Sequence, residues 1–372
     1  MKKRTFIRIL VCCLALTLLA GCGGTPAATS TPAPTEVSTP APETREFTDS
    51  CGRTVTLPGA ITKIAVSGPL TQLYVLPLAP EMMVGFASDF SEDAARFIPD
   101  EYLSLPNLGQ LYGGKGTMNL EALLAADPDV VIDVGEAKDT IVEDMDNLSE
   151  QTGIPFVHID ATVATAPEAY RLLGELTGKT EKAEELASFC QETLTKMTDI
   201  MAQVDGDDAR KALLYCLGDK GINVIAKGSF HGETIDMMAD NLAVLSDVAS
   251  SGMGNEVDLE QILLWNPQVI IFAPESVYAD VSADPSWQNV PAISSGDYYE
   301  TPNGPYGWLS SPPSVQRYLG MLWLGTLLYP DYVDYDLQTE VTRYYQLFYD
   351  YDLTGEQYAE LTANALQNEA AA

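Results

Sequence analysis

Two segments of this chain are near copies of one another, and they limit the folds that are open to it. MNLEALLAADPDVVID occupies Met118–Asp133, and VDLEQILLWNPQVIIF occupies Val257–Phe272. In each copy apolar residues recur at steps of three and four, which predicts a helix, and a short apolar run then predicts a buried strand. Asn119 and Asp258 stand where helix N-caps are expected, and an Asp-Pro or Asn-Pro pair ends each helix.

A single helix-strand unit of this kind cannot bury its apolar face alone and needs a sheet to join. One unit in each half of the chain therefore predicts an α/β protein with two similar lobes. The space between paired lobes is a favoured place for a ligand.

The N-terminus has the pattern of an exported lipoprotein. Lys and Arg residues precede the apolar run Ile9–Leu19, and Leu19-Ala20-Gly21-Cys22 resembles a bacterial lipobox, which predicts lipid attachment at Cys22. The apolar run is shorter than the roughly 20 residues that span a membrane. An ordinary secretory signal and a short membrane span are the alternatives. The following segment 23–45, rich in Pro, Thr and Ala, predicts a disordered tether.

Charge and cysteine content bear on the possible partners. The chain has 20 Lys and Arg against 53 Asp and Glu, a net charge of −33, which disfavours nucleic acid and anionic surfaces. Beyond Cys22 there are Cys51, Cys190 and Cys216, with no CxxC spacing, so we expect free thiols, one disulfide being the alternative. With only His158 and His231, neither a metal site of several histidines nor a cofactor is predicted.

The rest of the chain alternates strand and helix patterns. The first half predicts a hairpin at Phe47–Pro58, strands at Lys63–Val66, Val84–Phe86 and Phe156–Ile159, and a helix at Leu70–Leu78. Thr180–Val204 predicts a helix about 37 Å long, which we interpret as a connector of the lobes, an ordinary packing helix being the alternative. The second half predicts strands at Ala212–Leu217 and Ile222–Ala226, and helices at about His231–Ala239, Pro313–Leu328, Asp336–Tyr349 and Thr354–Gln367.

Taken in order, these features resemble one family. The lipobox, the tether, TDSCGRTVTLP, NLEALLAADPDVVI, TGIPFVHID, the long helix and DLEQILLWNPQVII are similar to the solute-binding lipoproteins of ABC importers for ferric siderophores, haem and cobalamin. The resemblance implies two Rossmann-like lobes joined by a single long rigid α-helix, with the ligand cleft between them. We therefore expect a signal peptide at 1–22, the tether at 23–45, an N-terminal α/β lobe at 46–166, connecting helices at 167–207, a C-terminal α/β lobe at 208–335 and C-terminal helices at 336–372.

The resemblance also implies a function. Such a protein is not an enzyme; it captures an iron chelate, haem or a corrinoid and delivers it to an ABC permease dimer and its ATPase. We expect a monomer without cofactor, anchored by lipid outside the cytoplasmic membrane, at the cell surface or in the periplasm. Which chelate it binds is left open.

Candidate site residues follow in two groups. The resemblance implies one permease-docking carboxylate in each lobe, at positions Glu121 and Glu260, although the helix dipole alone favours Glu in a first turn. Loops expected to face the cleft offer aromatic, cationic and polar side chains suited to a bulky, negatively charged chelate: Tyr112, Lys115, Phe230, His231, Met253, Tyr306, Trp308 and Arg317. Trp287, Tyr298 and Tyr299 are interpreted as structural.

The sequence motifs do not favour nucleotide binding or the common hydrolase mechanisms. GQLYGGKGT at Gly109–Thr117 approaches a phosphate-binding loop, but Gly116 stands where a Ser or Thr must ligate magnesium. The chain contains no GxSxG or HExxH motif. The alternatives are a lipid-anchored sensor or adhesin on the same fold, and an exported hydrolase that uses Asp and Glu.

Overall fold

Strands and helices alternate along most of the chain. The computed structural model describes residues 43–111, 117–207, 209–310 and 312–366. The strands are β1 Thr44–Thr48, β2 Thr54–Pro58, β3 Ile64–Val66, β4 Val130–Gly135, β5 Phe156–Asp160, β6 Ala212–Leu217, β7 Asn223–Val224, β8 Asp240–Asn241, β9 Asn255–Glu256, β10 Val269–Phe272 and β11 Tyr298–Glu300. The helices are α1 Pro69–Val75, α2 Glu92–Ala95, α3 Leu120–Ala126, α4 Ile141–Thr152, α5 Ala166–Thr177, α6 Thr180–Gly206, α7 Glu233–Met238, α8 Leu259–Trp265, α9 Tyr278–Val281, α10 Pro291–Ser295, α11 Arg317–Leu328, α12 Leu337–Tyr349 and α13 Gly355–Leu361. Single 3₁₀ turns lie at Pro80–Met82, Phe230–Gly232, Trp287–Asn289 and Pro330–Tyr332.

The first half of the chain builds a parallel sheet in the order β3-β4-β5, beside the antiparallel hairpin β1–β2. Every residue of β4 is buried, as expected for a parallel strand that is covered on both faces. The strand predicted at Val84–Phe86 is wrong. Met83 and Phe86 make single bridges to two different partners, and any side chain at Gly85 would collide with Leu108 and the Pro106 carbonyl.

The second half builds a mixed sheet in the order β11-β10-β6-β7-β9, with β8 also paired to β6. β11, β10, β6 and β8 pair parallel with one another, whereas β7 pairs antiparallel with both β6 and β9. The chain is therefore an α/β protein with two sheets. We keep the names N-terminal lobe for 46–166 and C-terminal lobe for 208–335.

The two copies of the repeat fold alike, as the sequence predicts. The Asn119 side chain accepts a hydrogen bond from the Ala122 amide at the start of α3, and Asp258 does the same for Gln261 at the start of α8. Each helix ends at a left-handed residue, Asp127 with φ 50° and Asn266 with φ 51°. A buried strand follows in both cases, β4 and β10.

Most of the longer helices lie where the sequence predicts them. α6 has 27 residues and extends two residues past the predicted end. α12 and α13 begin after the N-caps Asp336 and Thr354, but α13 ends at Leu361 rather than Gln367. α11 begins at Arg317, four residues later than predicted, because 312–316 form consecutive turns instead.

One large apolar core runs through both lobes. It includes aromatic residues of α12, where Tyr344 and Phe348 stack at 4.1 Å and Phe348 also meets Phe189 of α6. Trp287 and Tyr299 are buried as predicted, and Tyr298 packs beside Phe272.

The cysteines beyond the N-terminal segment form no disulfide in the described structure. Cys51, Cys190 and Cys216 are free thiols; the last two are fully buried, and burial raises the pKa of both. Within the described ranges, none of the helices combines the length and apolar character needed to cross a membrane. The same residues hold no group of three or more His, Cys, Asp or Glu arranged to bind a metal.

Candidate functional site

The carboxyl ends of the parallel strands mark the edge of each sheet where ligands bind in α/β proteins. In the N-terminal lobe this edge carries the turns after β3, β4 and β5. Cross-lobe hydrogen bonds place C-terminal-lobe residues against it: Ser314 Oγ donates to the Leu70 carbonyl at 3.1 Å, and the Tyr318 hydroxyl donates to the Val163 carbonyl at 2.6 Å. The space beside these contacts is the candidate ligand cleft.

A cavity of about 630 Å³ opens between the lobes. The N-terminal lobe contributes Glu136, Val163 and Ala164, α6 contributes Leu194 and Thr198, and the C-terminal lobe contributes Gly228, Ser229, Phe230, Glu233, Asp236 and Met237. Phe230 is the aromatic side chain in this set. Three lining residues are carboxylates, and none of the described lining residues is Lys, Arg or His. The described wall of the cavity is therefore acidic, contrary to the cationic lining that the sequence suggested.

Arg317, predicted to contact the ligand, is buried and paired with a carboxylate rather than lying in the cavity as a free cation. Its side chain is 1% exposed, and Nη1 lies 2.6 Å from Glu233 Oε2. The same nitrogen donates to the Phe230 carbonyl at 3.1 Å, and the guanidinium lies 4.7 Å from the Phe230 ring centre. Because its charge is already paired and buried, Arg317 supports the Phe230 loop from below.

Trp308, also predicted to contact the ligand, is buried in the structure. It has no exposed surface and belongs to the large core, because the loop turns back so that the Trp308 amide donates to the Pro302 carbonyl at 3.0 Å. Tyr306 of the same loop is only half-buried. Its hydroxyl accepts a hydrogen bond from Gln72 Nε2 at 3.2 Å, so that it joins the two lobes, and burial raises its pKa.

His231 and Met253 lie on neighbouring loops of the C-terminal lobe. The His231 ring packs against Gly252, where any side chain would come within 3.0 Å of Cε1. Burial lowers the pKa of His231, and a hydrogen bond with the Ser310 backbone partly opposes this. Its Nδ1 is buried and has no hydrogen-bond partner among the described residues. Met253 is 63% exposed.

Three predicted positions lie outside the described residues: Tyr112, Lys115 and the lipid site Cys22. Glu121 and Glu260 are both exposed, at equivalent positions in the first turns of α3 and α8. Beside Glu260, a groove of about 830 Å³ is lined by C-terminal-lobe residues, among them Asp258, Leu259 and Trp287. This groove touches one lobe, so it is not the cleft between lobes.

Sequence reasoning missed a buried polar network beneath the N-terminal edge of the cleft. Asp133, the fourth residue of β4, accepts a hydrogen bond from Ser67 and lies 2.7 Å from His158 Nδ1. Ser67 also bonds Thr71 at 2.9 Å. One signal was available, because Asp133 stands where the second copy of the repeat has Phe272. A carboxylate within a buried strand needs hydrogen-bond partners.

Comparisons with known proteins agree with this architecture. Residues 95–305 match the model of the periplasmic binding protein family, and the chain belongs to that family. It is 25% identical over 336 residues to the molybdate-binding protein MolA of Haemophilus influenzae, which covers 82% of this chain and 91% of MolA. It is 21% identical over 220 residues to the Fe(3+)-citrate-binding protein YfmC of Bacillus subtilis, which covers 58% and 66% of the two chains.

Among solved structures, an ABC transporter solute-binding protein from Sulfurospirillum deleyianum superposes with a TM-score of 0.79 at 28% identity, covering 86% of this chain and 99% of that one. The fold is thus that of the solute-binding proteins. The chain is a binding protein of ABC import that acts outside the cytoplasm, and it is not an enzyme.

Proposed function

We propose that the chain captures an iron chelate, such as a siderophore complex, haem or a corrinoid, and presents it to an ABC permease. The observation that carries this proposal is the cavity of about 630 Å³ between the lobes. Ligand pockets for molecules of a few tens of atoms are typically about 300–1,000 Å³. The relative that binds Fe(3+)-citrate supports the same class.

A second candidate ligand is a metal oxyanion. The similarity to the molybdate-binding protein extends over 82% of this chain. A tetrahedral oxyanion would fill a small part of the cavity and would need hydrogen-bond donors. Two buried atoms without partners in the described structure, His231 Nδ1 and Ser310 Oγ, can donate, but neither residue is among those that line the cavity.

A calorimetric screen of the mature protein separates these candidates. Ferric citrate, a ferric hydroxamate, haem, cobalamin and molybdate are titrated in turn, and we expect one iron chelate or corrinoid to bind. Phe230→Ala, which removes the cavity's aromatic wall, should weaken that ligand, whereas Glu256→Gln in the separate groove should not. If molybdate were the only compound to bind, the ligand would be a metal oxyanion and the proposal of an iron chelate would be wrong.

The helix α6 is proposed to be the rigid connector between the lobes. It is a single helix of 27 residues, it follows the N-terminal lobe directly after α5, and it packs on α5, α11 and α12. A continuous helix resists bending, so we expect the lobes to open and close by small rotations. The divisions given above for the signal peptide, tether, lobes and terminal helices stand as part of this proposal.

Glu121 and Glu260 are proposed to dock on arginines of the permease dimer. Their support is that both are exposed and equivalent, each in the first turn of its helix. The double change Glu121→Ala and Glu260→Ala should leave ligand affinity intact and abolish uptake into vesicles that carry the permease. The matched control is Glu143→Ala with Glu356→Ala, which removes exposed first-turn carboxylates of α4 and α13. If the control also stopped uptake, helix stability rather than docking would explain the loss.

Cys22 is proposed to anchor the protein to the membrane through lipid. Cys22→Ser should release the protein into the soluble fraction without changing its fold, since the tether separates Cys22 from the lobes. A processed mutant protein that stays in the membrane pellet would contradict the lipid anchor. Normal anchoring with no uptake of any solute would instead favour the alternative of a lipid-anchored sensor or adhesin.

A further inference from the structure

Both backbone polar groups of one N-terminal-lobe residue, Val163, are hydrogen-bonded by side chains of the C-terminal lobe. The Val163 amide donates to Glu233 Oε2 at 3.2 Å, and the Val163 carbonyl accepts from the Tyr318 hydroxyl at 2.6 Å. Val163 lies between β5 and α5, whereas Glu233 begins α7 and Tyr318 lies in α11. Two side chains from separate helices thus grip the donor and the acceptor of a single residue.

The acceptor side chain is itself fixed in place. Glu233 Oε2 also receives Arg317 Nη1 at 2.6 Å, and Arg317 donates in turn to the Phe230 and Ser314 carbonyls at 3.1 and 3.2 Å. Arg317 and Tyr318 are each 1% exposed. The Glu233 side chain is 28% exposed, but the guanidinium is buried, so breaking the pair would leave a buried charge without its carboxylate.

The hydroxyl side of the grip is equally constrained. Tyr318 lies beside the buried thiol of Cys190 in α6, and burial raises the pKa of the Tyr318 hydroxyl, which remains a neutral donor. The grip therefore joins both lobes at the wall that α6 forms. Val163 and Glu233 also line the cavity between the lobes.

We propose that Glu233 and Tyr318 are positioning residues that fix the separation of the lobes at the floor of the cleft. We call the two hydrogen bonds to Val163 the Val163 clasp. This inference rests on the proposed function, since it assigns the clasp the task of holding the cleft at the width of its ligand. Neither residue needs to touch the ligand for this, and the lobes can still rock about the clasp.

The geometry gives the clasp a distinct mechanical effect. Two hydrogen bonds to the backbone of one residue restrain a point rather than a surface, so they oppose separation of the lobes more than rotation about that point. The contacts Ser314 to Leu70 and Gln72 to Tyr306 lie further along the same floor and restrict the direction of rotation. Loss of the clasp should therefore widen the range of lobe separations without unfolding either lobe.

The test measures the distance between the lobes directly. Spin labels are placed at Ala125→Cys and Leu264→Cys, exposed and equivalent positions of the two repeat copies, in mature protein with Cys22 and Cys51 replaced by serine. Cys190 and Cys216 are fully buried and stay unlabelled. Pulsed electron spin resonance then gives the distribution of label separations in the absence of ligand.

The variant Tyr318→Phe removes one hydrogen bond of the clasp and keeps the ring. Its matched control is Tyr335→Phe, because the Tyr335 hydroxyl also donates to a carbonyl at 2.6 Å, that of Leu322, within the C-terminal lobe. We expect a broader distribution, shifted to longer distances, for Tyr318→Phe and an unchanged one for Tyr335→Phe. Glu233→Gln should broaden it further; if that variant fails to fold, Tyr318→Phe decides alone.

Identical distributions for Tyr318→Phe, Tyr335→Phe and the unmodified protein would overturn the clasp. Because no ligand is present, that outcome would leave the proposed transport function standing. If a ligand is identified by the screen, its affinity should fall about two- to tenfold in Tyr318→Phe, the range expected for one hydrogen bond, and stay unchanged in Tyr335→Phe. If no candidate ligand bound but Tyr318→Phe still broadened the distance distribution, the proposed transport function would be contradicted and the clasp would be supported.

Discussion

The two repeat units are α3 with β4 and α8 with β10. Their helices begin and end in the same way, but the fourth residue of the strand differs between them. Both helices have a side-chain N-cap and a left-handed final residue, and both strands are buried. The first copy then reaches Asp133, which joins a polar network with Ser67 and His158. The second reaches Phe272, which packs on Trp287 and Tyr298.

This difference separates what builds the fold from what adapts a lobe. Caps, stop residues and apolar spacing act over a few residues, so the same letters give the same unit in either sheet. The fourth residue of the strand, Asp133 in β4 and Phe272 in β10, meets neighbours from distant parts of the chain. At this position the N-terminal lobe has the carboxylate of Asp133 and the C-terminal lobe has the aromatic ring of Phe272.

The largest effect should come from removing the central apolar residue of each unit. Leu123 and Ile262 are equivalent and fully buried. Leu123→Ala and Ile262→Ala should each lower the free energy of unfolding by about 2–5 kcal/mol, as measured by urea denaturation. If one change costs less than half as much as the other, the two units do not contribute equally to stability, and the comparison fails at its simplest point.

The second largest effect on stability should come from the charged strand residue Asp133. Asp133→Asn keeps the size of the side chain but removes the carboxylate that accepts from Ser67 and faces His158. We expect a loss of about 1–3 kcal/mol, the cost of a buried polar group left badly paired. Denaturation of Asp133→Asn measures it, with Asp139→Asn, an exposed position in the loop after β4, as the control. An unchanged stability would mean that the network is solvated.

The N-caps should show smaller and similar effects. Asn119→Ala and Asp258→Ala each remove one hydrogen bond to a first-turn amide. Each should cost about 1 kcal/mol of stability, readable as a shift in the urea midpoint without a change in slope. Substitution by Ser should restore most of the loss, because a hydroxyl can cap the same amide. A loss that Ser does not restore would point to another role for the side chain.

The smallest effect concerns pH and the histidine of the C-terminal lobe. Burial lowers the pKa of His231 below its ordinary value of 6.5. The unfolded chain therefore binds a proton more readily than the folded one, and stability should fall as pH drops below 6.5 toward the lowered pKa. The slope from one group cannot exceed about 1.4 kcal/mol per pH unit.

His231→Gln should flatten the part of the pH profile that this histidine causes. Thermal melts of the variant and the unmodified protein, compared at pH 5.5 to 7.5 as roughly spanning the ordinary histidine range, provide the measurement. If both proteins lose stability equally on acidification, His231 is not the group responsible. The carboxylates of this acidic chain would then have to account for the whole slope.

Short-range signals explain what could be predicted from the sequence. Asn119 and Asp258 were predicted as caps from their position before an apolar pattern, and each accepts the expected bond. The starts of α12 and α13 were also predicted to within a residue, at Asp336 and Thr354. The long helix α6 followed from the same periodicity. The predicted stretch Thr180–Val204 contains no Pro or Gly, so no break in the helix was expected.

Long-range pairing explains what could not be predicted. Arg317 looked like a free cation because Glu233, its partner, is 84 residues away in the chain. Trp308 was predicted to be a surface aromatic residue because the sequence does not show that its loop turns back into the core. Glu233 itself drew no attention, since one Glu among the 53 acidic residues carries no local mark. Tertiary contacts decide such positions, and periodicity does not report them.

Hydrogen exchange with the bound ligand tests the central claim most directly. The mature protein is compared with and without the complex that binds in the calorimetric screen, and protection of backbone amides is read for both lobes. We predict protection on both sides of the cleft, at Ser67–Leu70 and Gly135–Lys138 of the N-terminal lobe and at Gly228–His231 of the C-terminal lobe. Protection confined to the C-terminal lobe, around the groove at Asp219–Trp287, would contradict a ligand held between the lobes.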